Sequence, residues 1–120
     1  HEVKVYVNGS LQSQGMLRHG RISIVGNGTD RDFLIGKSYD DARWFEGNMS
    51  EVRVWNVVRT QEEIAGNFYS VDPKSKGLVG YWKMDDSTSP NIVKDATGNG
   101  NDAMANNPLS WHNVSLPEKK

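Results

Sequence analysis

The sequence predicts an all-β protein, short antiparallel strands stacked as a sandwich with one short helical turn near residues 60–66. Three observations lead there. From Met49, the stretch FEGNMSEVRVWN at residues 45–56 alternates Met49, Glu51, Arg53 and Trp55 against Ser50, Val52 and Val54. A period of two with large groups on both faces marks a strand inside a sheet. Asn8-Gly9 follows the alternating Val3, Val5 and Val7, and Asn-Gly is the strongest two-residue hairpin signal, because both central positions of a type I′ turn need positive φ. Finally, twelve glycines beside four Trp, four Tyr and three Phe suit many tight turns over an aromatic-rich core.

In chain order, residues 3–7 form the first strand, and Leu11 begins the return strand, whose polar run Gln12, Ser13, Gln14 suits an edge. Residues 21–25 alternate again up to the Gly26-Asn27-Gly28 stop, and residues 32–36 read as a short apolar strand buried on both faces. Residues 37–44 are polar, aromatic and aperiodic, hence a loop. Residues 49–55 form the central strand, with Val52 and Val54 buried. After it, Thr60 and Glu63 have the spacing of a capping box, in which each side chain bonds the other's backbone N–H. Pro73 and Gly77 keep residues 72–77 out of any element. Residues 78–84 form the next strand, where Gly80 between large residues predicts a ring or backbone packed close. A two-residue apolar stub at Ile92-Val93, a Gly98/Gly100 loop, residues 102–105 and residues 109–116 complete the domain, leaving 117–120 as a tail.

Bulk properties narrow the function. With 14 basic and 15 acidic residues there is no basic footprint for nucleic acid or an anionic membrane. No apolar run is long enough to span a bilayer. The absence of cysteine excludes disulfides and thiolate metal sites.

The stretch at 45–56 followed by a Thr-x-Glu-Glu-Ile-type helix resembles the concanavalin A-like LamG/pentraxin domain, in the variety carried by bacterial cell-surface proteins. VKVYVNG at 3–9, FLIG at 33–36, GLVGYW at 77–82 and DATGNGND at 95–102 resemble its other motifs in order and spacing. The resemblance implies a two-sheet jelly-roll sandwich over residues 1–116, in a secreted or cell-surface protein of the bacterial periplasm or outer membrane. Because the 3–14 hairpin belongs to the middle of that domain, it also implies that the N-terminal strands of the domain are missing here and are themselves a potential partner. A smaller, self-sufficient sandwich is the alternative. The implied partner is a glycan or a protein. Relatives that hydrolyse β-glucans carry Glu-x-Asp-x-x-Glu, which supplies carboxyl groups about 5 Å apart across the scissile bond. No such string occurs, and the chain is expected to be no enzyme. In similar folds an aspartate at the Ser50 position binds calcium, so that charged ligand is missing here.

Two clusters are candidate sites. Tyr39, Asp40, Arg43 and Trp44, with Asp41, put rings, carboxylates and a guanidinium in one loop. A carbohydrate site uses that mixture, the ring stacking on a sugar face and the charges gripping hydroxyls. The plainer reading is a Trp44 that serves as a core or interface aromatic and a surface pair of Arg43 with Asp40 or Asp41. Asp95, Asn99 and Asp102 begin like a calcium loop, but position twelve is Asn106 where an EF-hand needs glutamate. A looser structural Ca2+ site is one reading. An Asx-type turn bonding its own backbone is the other.

Overall fold

In a computed structural model of the chain, the described residues are 2–16, 33–37, 44–105 and 109–112. Their elements run β1 (Glu2–Val7), β2 (Ser10–Met16), β3 (Val52–Trp55), α1 (Gln61–Gly66), β4 (Leu78–Trp82), β5 (Ile92–Val93) and β6 (Ala103–Met104). The architecture is mostly strand with little helix, in three two-stranded antiparallel sheets: β1-β2, β3-β4 and β5-β6. The chain divides into two units, His1–Asn48 and Met49–Lys120.

In the first unit, Asn8 (φ 51°) and Gly9 (φ 76°) turn β1 into β2, closing on the pair Val7–Ser10. Two positive φ values are what a type I′ turn requires. Val5 faces Ser13 while Tyr6 faces Leu11, so Gln12 is the extra residue of a bulge. Val3, Val5 and Val7 remain exposed. The strand expected at 32–36 does not form over its described residues. Gly36 takes a left-handed φ of 75°, Phe33 is exposed, and Leu34 and Ile35 are only half-buried. A left-handed residue turns the chain out of the extended course that a ladder needs. The connection is instead a lone bridge of Lys37 with Trp44, with the Phe45 N–H donating to the Gly36 carbonyl at 2.8 Å. The strand expected at 21–25 lies outside the described residues.

The second unit is built on β3 and β4. Here the strand expected over 49–55 is shortened to Val52–Trp55, because Glu51 sits at φ 56° and interrupts the extended run. Met84 at φ 60° likewise follows the end of β4, two residues beyond Trp82. Among the described residues β3 pairs on one side only, and Val52 and Val54 are half-buried, not buried as the alternation predicts. The core lies one strand over: Leu78, Tyr81 and Trp82 of β4 are buried, as is Val93 of β5. Gly80 fits its expected role. A Cβ there would run into the six-membered ring of the Trp82 indole, two residues on and on the same face. The helix starts as its sequence predicts: Glu63 N–H donates to Thr60 Oγ1 and Thr60 N–H to Glu63 Oε2, both at 3.1 Å.

Candidate functional site

Of the sugar-type loop, Trp44 alone falls within the described residues. Tyr39, Asp40, Asp41 and Arg43 lie outside them. Trp44 is 64% exposed and the adjoining Phe45 56% exposed, while the Lys37–Trp44 bridge and the Phe45–Gly36 hydrogen bond hold the backbone beneath them. Trp44 is therefore no core residue among the described ones, and an interface role fits the same exposure. An indole in this state presents a broad apolar face at little cost in conformational entropy.

Asp95, Asn99 and Asp102 do come together, in one turn against β4. Asp95 is 7% exposed, and its Oδ1 accepts from Tyr81 N–H (3.1 Å), Thr97 N–H (3.0 Å) and Thr97 Oγ1 (2.7 Å). Its Oδ2 accepts from Asn101 N–H at 3.2 Å. Asp102 Oδ1 accepts from Asp95 N–H at 2.9 Å, and Asn99 turns its amide to the Val79 carbonyl at 2.9 Å. Burial opposes the charge on Asp95, but the Thr97 hydroxyl and N–H, then the Tyr81 and Asn101 N–H groups, outweigh it and hold the carboxyl below its usual 3.8. Asp102 is lowered by the Asp95 N–H and then by Lys94. This is the geometry of the Asx-type turn. It seals the outer edge of β4, where Ala96 N–H also donates to the Tyr81 carbonyl at 2.8 Å. The Asp95 carboxylate accepts four hydrogen bonds, three at Oδ1 and one at Oδ2, so a cation there would compete with donors already in place. No group of three His, Cys, Asp or Glu suited to a metal occurs among the described residues.

A third arrangement went unmarked as a site in the sequence. Glu51, Arg53 and Trp55, one face of the alternation, line a cavity of about 810 Å³ with Arg59, Glu63, Phe68, Tyr69, Lys83, Asp85 and His112. Behind it Tyr81, fully buried, donates its hydroxyl to Glu51 Oε2 at 2.6 Å. Burial, followed by that bond, pushes the phenol above its usual 10.0. Arg53 bonds the same Glu51 oxygen and reaches the Asn67 carbonyl at 2.5 Å and the Phe68 carbonyl at 3.4 Å. Arg59 lies over the Trp55 ring at 3.9 Å, and its Nε meets Glu63 at 3.4 Å. The signal was present in the sequence: two charged residues, Glu51 and Arg53, share a strand face with Trp55. A solvent-facing charged stripe has the same pattern, and only the covering segment at 67–71 makes it a cavity.

Among curated proteins none matches. Among solved structures, the chain is similar to a candidate carbohydrate-binding protein from Bacteroides ovatus ATCC 8483, at 36% identity and a TM-score of 0.67. That match takes in 91% of this chain but only 34% of the other, so the chain spans about a third of its neighbour's length. Residues 1–65, more than half of the chain, match the laminin G-type pattern of the concanavalin A-like lectin/glucanase superfamily, and the chain belongs to that superfamily.

Proposed function

We propose that the chain is a non-catalytic, lectin-like carbohydrate-binding module, part of a concanavalin A-like two-sheet jelly-roll sandwich in an exported bacterial surface protein. The observation that carries the reading is Trp44, an exposed indole on a backbone held by the Lys37 bridge, with Phe45 beside it. The carbohydrate-binding description of the Bacteroides neighbour supports the ligand class. In this reading Trp44 stacks on the C–H face of a sugar, Tyr39 adds a second ring, and Asp40 with Arg43 orient the hydroxyls. The absence of catalysis is supported by the sequence, which lacks the Glu-x-Asp-x-x-Glu string that sets two carboxyl groups across a scissile bond.

A second reading, a scaffold or adhesive domain that binds protein, is favoured by the exposed row Val3, Val5 and Val7 on the hairpin. Calorimetric titration of a panel of neutral polysaccharides against wild type and Trp44→Ala tests the first. Loss of the ring should weaken binding about fivefold or more, the equivalent of about 1 kcal/mol. Equal binding by a correctly folded Trp44→Ala variant removes the loop from the site. No glycan binding by wild type leaves the scaffold reading standing.

A further inference from the structure

We propose that the cavity lined by β3, the segment 67–71 and residues 83–85 is a second glycan site, and that it takes an uncharged sugar. The proposal rests on the carbohydrate reading for its ligand class, but it uses no residue of the Trp44 loop.

The lining restricts the charge of the ligand. Arg53, Arg59 and Lys83 stand against Glu51, Glu63 and Asp85, three against three. Glu51 is bonded to Arg53 and Glu63 to Arg59. A ligand with a net charge would meet no surplus of the opposite sign. A wholly apolar ligand would fare no better, since it would strip water from these charged groups and return no hydrogen bond. What fits is a neutral molecule rich in hydroxyls, each able to donate and to accept. Lys83 and Asp85 form no ion pair among the described residues, which leaves an ammonium donor and a carboxylate acceptor for such hydroxyls.

The apolar part of the lining calls for a sugar ring. Phe68 and Tyr69 are both exposed, and their rings meet edge to face with centroids 6.4 Å apart. Open aromatic faces at a cavity wall suit the C–H face of a sugar. Their segment is held to β3 by Arg53, which donates to the Asn67 and Phe68 carbonyls. Arg53 is thus a positioning residue. It fixes the backbone that carries Phe68 before any ligand arrives, so less ordering is left to be lost on binding. Trp55 offers no such face on the side where Arg59 already lies over it. A volume of about 810 Å³ lies within the range of small-ligand pockets.

The experiment is calorimetric titration of Trp44→Ala, in which the cavity is the site left to bind. The ligands are neutral trisaccharides of glucose, galactose, xylose and mannose, with trigalacturonate as the charged control. The variant should bind at least one neutral sugar, with an affinity that salt does not change, and trigalacturonate no more tightly than galactotriose. Adding Tyr69→Ala or Asp85→Ala should weaken that binding about fivefold or more. Should Tyr69→Ala disturb the fold, Asp85→Ala carries the test, since Asp85 lies in no ion pair among the described residues. Neutral-sugar binding by wild type that is lost altogether in a folded Trp44→Ala overturns the proposal and leaves the function proposed above intact. Binding that survives both cavity substitutions undiminished, or a preference for trigalacturonate that salt abolishes, also overturns it. Equal binding by wild type and Trp44→Ala, weakened by the cavity substitutions, supports the cavity and removes the Trp44 loop. Binding of no glycan by wild type overturns both.

Discussion

Asp95 shows how much one side chain can organise. Four donors from three residues, Tyr81, Thr97 and Asn101, converge on its two oxygens, and through them the loop that follows is tied to β4. Asp95→Asn keeps the shape but replaces an acceptor with a donor that faces another donor. It should cost about 2–3 kcal/mol, read as a lower midpoint in urea. Adding calcium should leave the wild-type melting temperature unchanged, since a cation would compete with the four donors already on the carboxylate. The carboxyl also sets an acid limit. Its folded value lies below the ordinary 3.8, so its contribution is whole above about pH 5 and is lost as pH falls from about 4 through the folded value. Asp102 is shifted the same way and adds to the same window. Urea midpoints measured from pH 7 down to pH 3 should fall in that acid range for wild type, and less steeply for Asp95→Asn.

Among the elements, β4 carries the second unit because it is covered on its outer edge and holds the buried rings. Its residue 80 must be glycine for a reason local to the strand: positions 80 and 82 share a face, and the Trp82 indole folds back over the backbone. That ring is pinned from the other side, with its Nε1–H donating to the Asn101 carbonyl at 2.8 Å. Gly80→Ala therefore cannot be absorbed by a free swing of the ring, and should cost about 1–3 kcal/mol. Thermal unfolding with near-ultraviolet circular dichroism checks it, since displacement of Trp82 also changes the aromatic signal. A melting temperature equal to wild type would show that the ring has other room.

At the scale of the whole molecule, apolar surface remains uncovered in both units. Val3, Val5, Val7 and Phe33 are exposed in the first, Val58 and Met104 in the second. Exposed apolar groups in this number favour association. Sedimentation velocity across micromolar concentrations should show species heavier than a monomer of 13.4 kDa, the proportion rising with concentration. A single monomer boundary throughout would count against it.

What the sequence determined by itself is the local chemistry. The Asn8-Gly9 turn, the Thr60–Glu63 capping box, the close approach over Gly80 and the Ile92-Val93 stub are all legible, because each depends on residues within a few positions of one another. Superfamily membership was legible too, since the order and spacing of several short motifs survive where a single one is weak. Tertiary structure decided the rest. Alternation at 49–55 cannot reveal that Glu51 adopts a left-handed φ, nor that Glu51 meets Tyr81 thirty residues away. Composition alone cannot tell a calcium loop from an Asx-type turn, because both call for the same oxygens. The direction of the Tyr81 and Asn101 N–H groups favours the turn. Tyr81 is the deciding partner of both Glu51 and Asp95, thirty and fourteen residues away, and pairing at that range is set by packing, not by local preference.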